Sequence, residues 1–201
     1  MSTSLAVWIP LALVALFAAR ALVDKLTSTG VDADSMNLFL RRVDLRLLEN
    51  LLDPAEEARL RTELSTRAFR RLQRQRILGA CEQIRRLSNN AGVLLQWANG
   101  EYAEIAHKGR AQFDANDLLL VSVIEAAAEV KSGAWWALLK LRFWRASLVQ
   151  LWPFLPSPSL SDLREVYGKD ILQAYEALTS SAGELLIVRG GDYYDQVRAA
   201  L

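Results

Sequence analysis

Hydrophobic and polar positions divide the chain into an apolar N-terminal run and a longer stretch with helical periodicity. Residues 5–19, LAVWIPLALVALFAA, are apolar without interruption, and after Arg20 the run resumes with Ala21, Leu22 and Val23. Fifteen helical residues reach only about 22 Å, short of a hydrocarbon core of roughly 30 Å. Ser2 to Val23 would reach about 33 Å once Arg20 and Lys25 snorkel toward headgroups. A cleaved leader needs a positive n-region, yet nothing charged precedes Leu5 except the terminal amine. Its only small-x-small site, Ala19-Arg20-Ala21, carries a charge. A short core helix is the competing use of such a run.

The pattern favours a single membrane anchor over residues 1–25, built on Leu5, Leu13 and Phe17, with Trp8 as interfacial residue and Arg20 at the far boundary. Pro10 falls in the first two turns, where a helix tolerates it best. The nearby cations Arg20, Lys25, Arg41, Arg42 and Arg46 all follow the run. The positive-inside rule then places the N-terminus outside and residues 24–201 in the cytoplasm, and a reducing compartment agrees with the single cysteine, Cys81.

Residues 26–35 read as a polar linker containing Gly30, ending in Asp34 or Ser35 as a helix cap. Met36 to Leu52 is leucine-dense and fits a helix, with some alternation at Leu38-x-Leu40 and Val43-x-Leu45. Asp53-Pro54-Ala55-Glu56-Glu57 combines a cap, a proline at the first helical position and two carboxylates at the positive end of the dipole. No proline follows until Pro153, so a helix reaching Gly100 would be about 69 Å long. Ser88-Asn89-Asn90-Ala91-Gly92 is the expected break. Across it runs a heptad-like seam of Ile77, Cys81, Ile84, Ser88, Ala91, Leu95 and Ala98. Such a seam needs a partner helix, expected within the chain, with self-association as the alternative.

After Gly100 the pattern predicts a short helix from Glu101 to His107, then one from Leu118 to about Lys131 capped by Asp114 or Asn116. Ser132-Gly133 is expected to separate that helix from residues 134–152. This segment is apolar nearly all round and reads as a core helix whose Lys140, Arg142 and Arg145 snorkel outward; an interfacial helix is the alternative, since Trp135, Trp136, Trp144 and Trp152 crowd beside these cations. Pro153, Pro156 and Pro158 mark a linker. Ser161 restarts a helix to about Leu178, and Leu185–Val188 reads as a short helix or a strand. A lone strand would have no partner, so the chain is read as all-α. The expected organisation is an anchor at 1–25, a linker at 26–35, a helical domain at 36–152, a Pro-rich linker at 153–160 and a C-terminal helical subdomain at 161–201. Six to eight helices are expected in the bundle, one of them long and arginine-rich.

Composition changes this picture little: 201 residues at 52% hydrophobic can bury a core, and a formal charge of +1 hides a strong asymmetry. Residues 59–86 hold nine arginines against Glu63 and Glu82, whereas residues 162–201 are net acidic. Arg67, Arg70, Arg71, Arg74 and Arg85 fall within about a third of the helix circumference. Such a stripe can meet a protein partner or anionic lipid, or be a solvated face balanced by the acidic C-terminal region. A net charge near zero argues against a nucleic-acid partner.

Legible chemistry is thin. Glu104 and His107 have the Glu-x-x-His spacing that puts two metal ligands on one helix face, and Glu101 adds a carboxylate. A di-iron site of that style needs a second histidine, and the chain has one. Cys81 sits on the apolar seam, the ordinary place for a buried free cysteine. No catalytic residue and no cofactor is assigned. The expected function is a non-enzymatic, membrane-anchored accessory or interaction protein presenting cytosolic helices to a partner complex or anionic lipid. The alternatives are an all-α enzyme with a carboxylate/histidine metal site at Glu101, Glu104, His107 and Glu125, or a soluble helical bundle.

Overall fold

The computed structural model describes residues 39–107, 115–150, 159–164 and 169–189, all within the unit Asp32–Leu201. Among them regular structure is entirely helical: α1 (Leu45–Leu52), α2 (Pro54–Glu63), α3 (Thr66–His107), α4 (Ala115–Gln150), α5 (Leu160–Leu163) and α6 (Lys169–Arg189). The expected anchor, the polar linker and the three prolines of the second linker lie outside the described residues. No described helix is long and apolar enough to cross a membrane.

Helix boundaries follow local chemistry in some places and tertiary contacts in others. Asp53 caps α2 as expected: its Oδ1 accepts from Ala55 N at 3.1 Å, with Pro54 in the first turn. In the leucine-rich stretch before it, residues 40–44 are non-helical and a helix starts at Leu45, where the Asp44 carboxylate accepts from Leu47 N at 2.9 Å. The long helix does break, but at Leu64-Ser65. There the Ser65 carbonyl accepts from Phe69 N at 2.8 Å and its Oγ from Ala68 N at 3.4 Å, a serine cap.

The expected break at 88–92 is absent, and α3 runs unbroken for 42 residues. Asparagine disfavours helix interiors because its side chain competes for nearby backbone groups. Here the side chains have distant partners. Asn89 Nδ2 donates to Phe39 O at 2.9 Å; Asn90 accepts from Arg41 N and donates to Arg41 O, both at 2.8 Å. Further along α3, Arg86 Nη1 donates to Arg42 O at 3.2 Å and Gln83 Oε1 accepts from Asp44 N at 3.1 Å. The non-helical strap Leu40–Asp44 therefore has its peptide groups bound by side chains of α3, in antiparallel register.

Ser132-Gly133 does not separate two helices either. Lacking a side chain, Gly133 admits α6: a Cβ there would sit 2.7 Å from Ile171 Cγ1. Leu185 and Leu186 are buried within α6, so Leu185–Val188 is the last turn of a helix.

Three seams meet in the core. On α3 the buried apolar positions that form its seam are Ile77, Ala80, Ile84, Leu87, Ala91, Leu94 and Ala98. This corrects the expected seam. Ile77, Ile84, Ala91 and Ala98 belong to it, but the alternate places go to Ala80, Leu87 and Leu94, while Cys81 lies at the edge and Ser88 and Leu95 are half-buried. The partner is in the same chain: α4 contributes Leu120, Val123, Ala127, Val130, Ala134, Ala137 and Leu141 with the same 3-4 spacing. α6 packs against α4 and buries Ile171, Tyr175, Leu178, Ala182 and Leu185. Asn90 Nδ2 also donates to the Tyr175 hydroxyl at 2.9 Å, joining strap, α3 and α6.

Two stability measurements check this packing. In urea melts, Gly100→Ala, with open space around the new methyl, gains about 0.5–1 kcal/mol from helix propensity. Gly133→Ala instead loses about 1 kcal/mol, because overpacking at Ile171 outweighs the same propensity gain. Burial pushes the Tyr175 phenol up to about 12, the Asn90 hydrogen bond opposing it. Below pH 10 the phenol is protonated in both states and its burial is fully realised; above it the unfolded chain ionises first. Stability falls by about 2–3 kcal/mol from this group between pH 10 and 12, a slope that Tyr175→Phe removes.

Candidate functional site

An exposed flank of α3 beside its seam carries the arginines. With Ile77, Ile84 and Ala91 turned inward, 100° per residue places Arg67, Arg70, Arg71, Arg74, Leu78 and Arg85 on one outward arc, and all six are exposed. Other arginines of the run have local tasks. Arg59 pairs with Glu56 at 2.8 Å, Arg61 with Glu57 at 3.3 Å and Arg86 with Glu82 at 3.1 Å. Arg76 turns inward and Nη2 donates to Leu51 O at 2.8 Å, closing the C-terminal end of α1. Among the described residues no carboxylate lies within 4 Å of Arg67, Arg71, Arg74 or Arg85.

Cys81 sits at the edge of this arc, where α3 meets α4. Burial raises its thiol pKa, while the charges of Arg85, Arg145 and Arg142 pull the other way. Those three cations therefore converge on one stretch of the α3–α4 groove, from both helices.

Beside that groove α4 departs from its expected role as a helix buried all round. Its core side is the small-residue seam. Trp136, Leu139 and Phe143, spaced i, i+3 and i+7, lie on the other side, with Phe143 71% exposed. Lys140 and Arg142 flank them; Lys140 Nζ lies 5.0 Å from the Trp144 ring, and Trp135 meets Trp136 edge-on at 4.6 Å. The sequence pattern alone does not mark this face, because apolar residues surround the segment: Trp144 falls beside Ala137, and Ala146 beside Leu139.

A groove of about 490 Å³ lies between α1, α2 and α3, with Leu47, Leu51, Leu60 and Leu72 on its walls, Arg76 beneath and Asp53 and Glu56 at the rim. Glu57, next to it and buried, accepts from Leu160 N at 2.8 Å, so α2 holds the start of α5.

Glu101, Glu104 and His107 occupy the last two turns of α3, where Glu104 and His107 are exposed, and Glu125 is exposed on α4. Among the described residues no three His, Cys, Asp or Glu side chains come together to hold a metal ion. Leu5, Trp8, Leu13, Phe17 and Arg20 lie outside the described residues. No family model, curated protein or solved structure matches the chain.

The surroundings of Cys81 fix its reactivity. In native protein it reacts with a maleimide at least about 100-fold more slowly than in urea, because modification must wait for local opening. Mass spectrometry of timed samples reads the ratio.

Proposed function

We propose that the chain is a non-enzymatic, membrane-anchored helical accessory protein whose bundle presents a basic face to a partner complex or to anionic lipid. The observation that carries the reading is the arginine stripe of α3: five exposed arginines on one arc, backed by a helix held rigid along its seam. Arginine suits recognition of carboxylates and phosphates because its planar fork is always charged and donates two parallel hydrogen bonds. Solvation alone would explain scattered cations, but here like charges concentrate on one side.

Attachment is the second part of the proposal. The uninterrupted apolar run at 5–19, its continuation to Val23 and the cations that follow support one N-terminal anchor with residues 24–201 on the cytoplasmic side.

Fractionation tests both parts. Full-length protein is expected to stay in the membrane pellet through carbonate and high-salt washes, while a chain starting at Asp24 is released. Detergent pull-downs with Arg67, Arg70, Arg71, Arg74 and Arg85 changed to Gln are expected to lose about tenfold or more of the bound partner or lipid, at about 1 kcal/mol per cation near an anionic surface. Full-length protein recovered in the soluble fraction refutes the anchor; unchanged capture by the glutamine variant refutes the basic face.

A further inference from the structure

We propose that the outer face of α4, Trp136, Leu139 and Phe143 with the flanking Lys140 and Arg142, docks flat on an anionic bilayer surface, alongside Arg85 of α3. This deepens the reading of the chain as a membrane-associated protein and rests on it.

Three observations lead there. Large apolar side chains stand exposed in a stripe about a sixth of the α4 circumference wide, while the buried side of the same helix is filled by alanine, valine and leucine. A stripe of that kind on a structured helix marks an interaction surface. Cations border it on both sides, Lys140 on one and Arg142 on the other, the arrangement in which indole and phenyl rings enter the headgroup layer as cations meet lipid phosphates. Third, Arg85, Arg142 and Arg145 all act on the Cys81 thiol, so the arginine arc of α3 adjoins the cationic border of α4. Leu78, exposed within that arc, adds apolar area on the α3 side.

The complementarity selects the occupant. A protein partner for a stripe this apolar would need a matching groove, and an acidic one would leave the rings unused. A bilayer surface carrying anionic lipid satisfies both halves at once: phosphates for the arginines and the acyl boundary for Trp136, Leu139 and Phe143. Spanning is excluded for α4, since Glu125, Glu129, Lys131, Lys140, Arg142 and Arg145 would lie within the bilayer.

The test uses the full chain reconstituted into phosphatidylcholine vesicles with and without about 30 mol% phosphatidylserine. A nitroxide is attached at Phe143→Cys, with Leu47→Cys, exposed on α1 rather than on α4, as reference. In the phosphatidylserine vesicles the label at 143 is expected to become oxygen-accessible and protected from a water-soluble nickel relaxant, at about 5–10 Å depth. Salt at about 0.5 M is expected to weaken that protection, as is the Lys140→Glu/Arg142→Glu pair, while the label at 47 stays aqueous. A label at 143 that is aqueous in both lipid compositions overturns the proposal, even when the chain floats with the vesicles. So does a label protected by a co-purified protein in detergent but aqueous on phosphatidylserine vesicles. A chain that fails to float with pure phosphatidylcholine refutes the N-terminal anchor separately, and the label at 143 on phosphatidylserine vesicles still decides the docking face.

Discussion

The carboxamide of Asn90 is the junction on which the arrangement depends. Fully buried at the centre of α3, it satisfies both peptide groups of Arg41 and reaches the Tyr175 hydroxyl of α6. A buried polar group is tolerated only when its donors and acceptors are used, and here both amide hydrogens and the carbonyl are. Because hydrogen bonds are directional, that one residue sets where the strap lies along α3 and brings α6 to the same level. Apolar seams alone can slide by a heptad; a buried amide with fixed partners opposes such slippage. Gln83, Arg86 and Asn89 extend the same principle along the strap, giving a non-helical segment its hydrogen bonds without a second strand.

Small residues then decide how closely the helices approach. Ala80, Ala91 and Ala98 of α3 face a seam in which α4 contributes Ala127, Ala134 and Ala137, and Gly133 admits Ile171. Close approach leaves little interior volume, so the larger side chains of residues 134–145 divide. Leu141 goes inward, while Trp136, Leu139 and Phe143 stay outside. The exposed aromatic face and the tight core thus share one cause. The arginine arc of α3 is the counterpart on the neighbouring helix, where the seam consumes the apolar positions and leaves the cations outward.

At the other end, charged groups serve as structural ties. Glu57 bonds the first peptide of α5, and Arg76 bonds the last carbonyls of α1. Each is buried with a backbone partner, which gives a buried charge a local dipole in place of water. Both residues stand within charged stretches of sequence that read as solvated, and only their distant partners distinguish them from Arg71 or Glu56.

Helical class, the Asp53-Pro54 start and the side of α3 that bears its arginines were legible in the sequence. They rest on 3.6-residue periodicity and on caps formed by neighbouring residues, interactions that span no more than a turn or two. Whether Asn89-Asn90 ends a helix, whether Gly133 is a hinge or a contact, and whether Ala80 or Cys81 takes the seam position depended on groups more than 35 residues away. Local sequence offers each of these residues two acceptable roles of similar free energy. Choosing between them took Arg41, Ile171 and the seam of α4, which only the folded chain brings alongside.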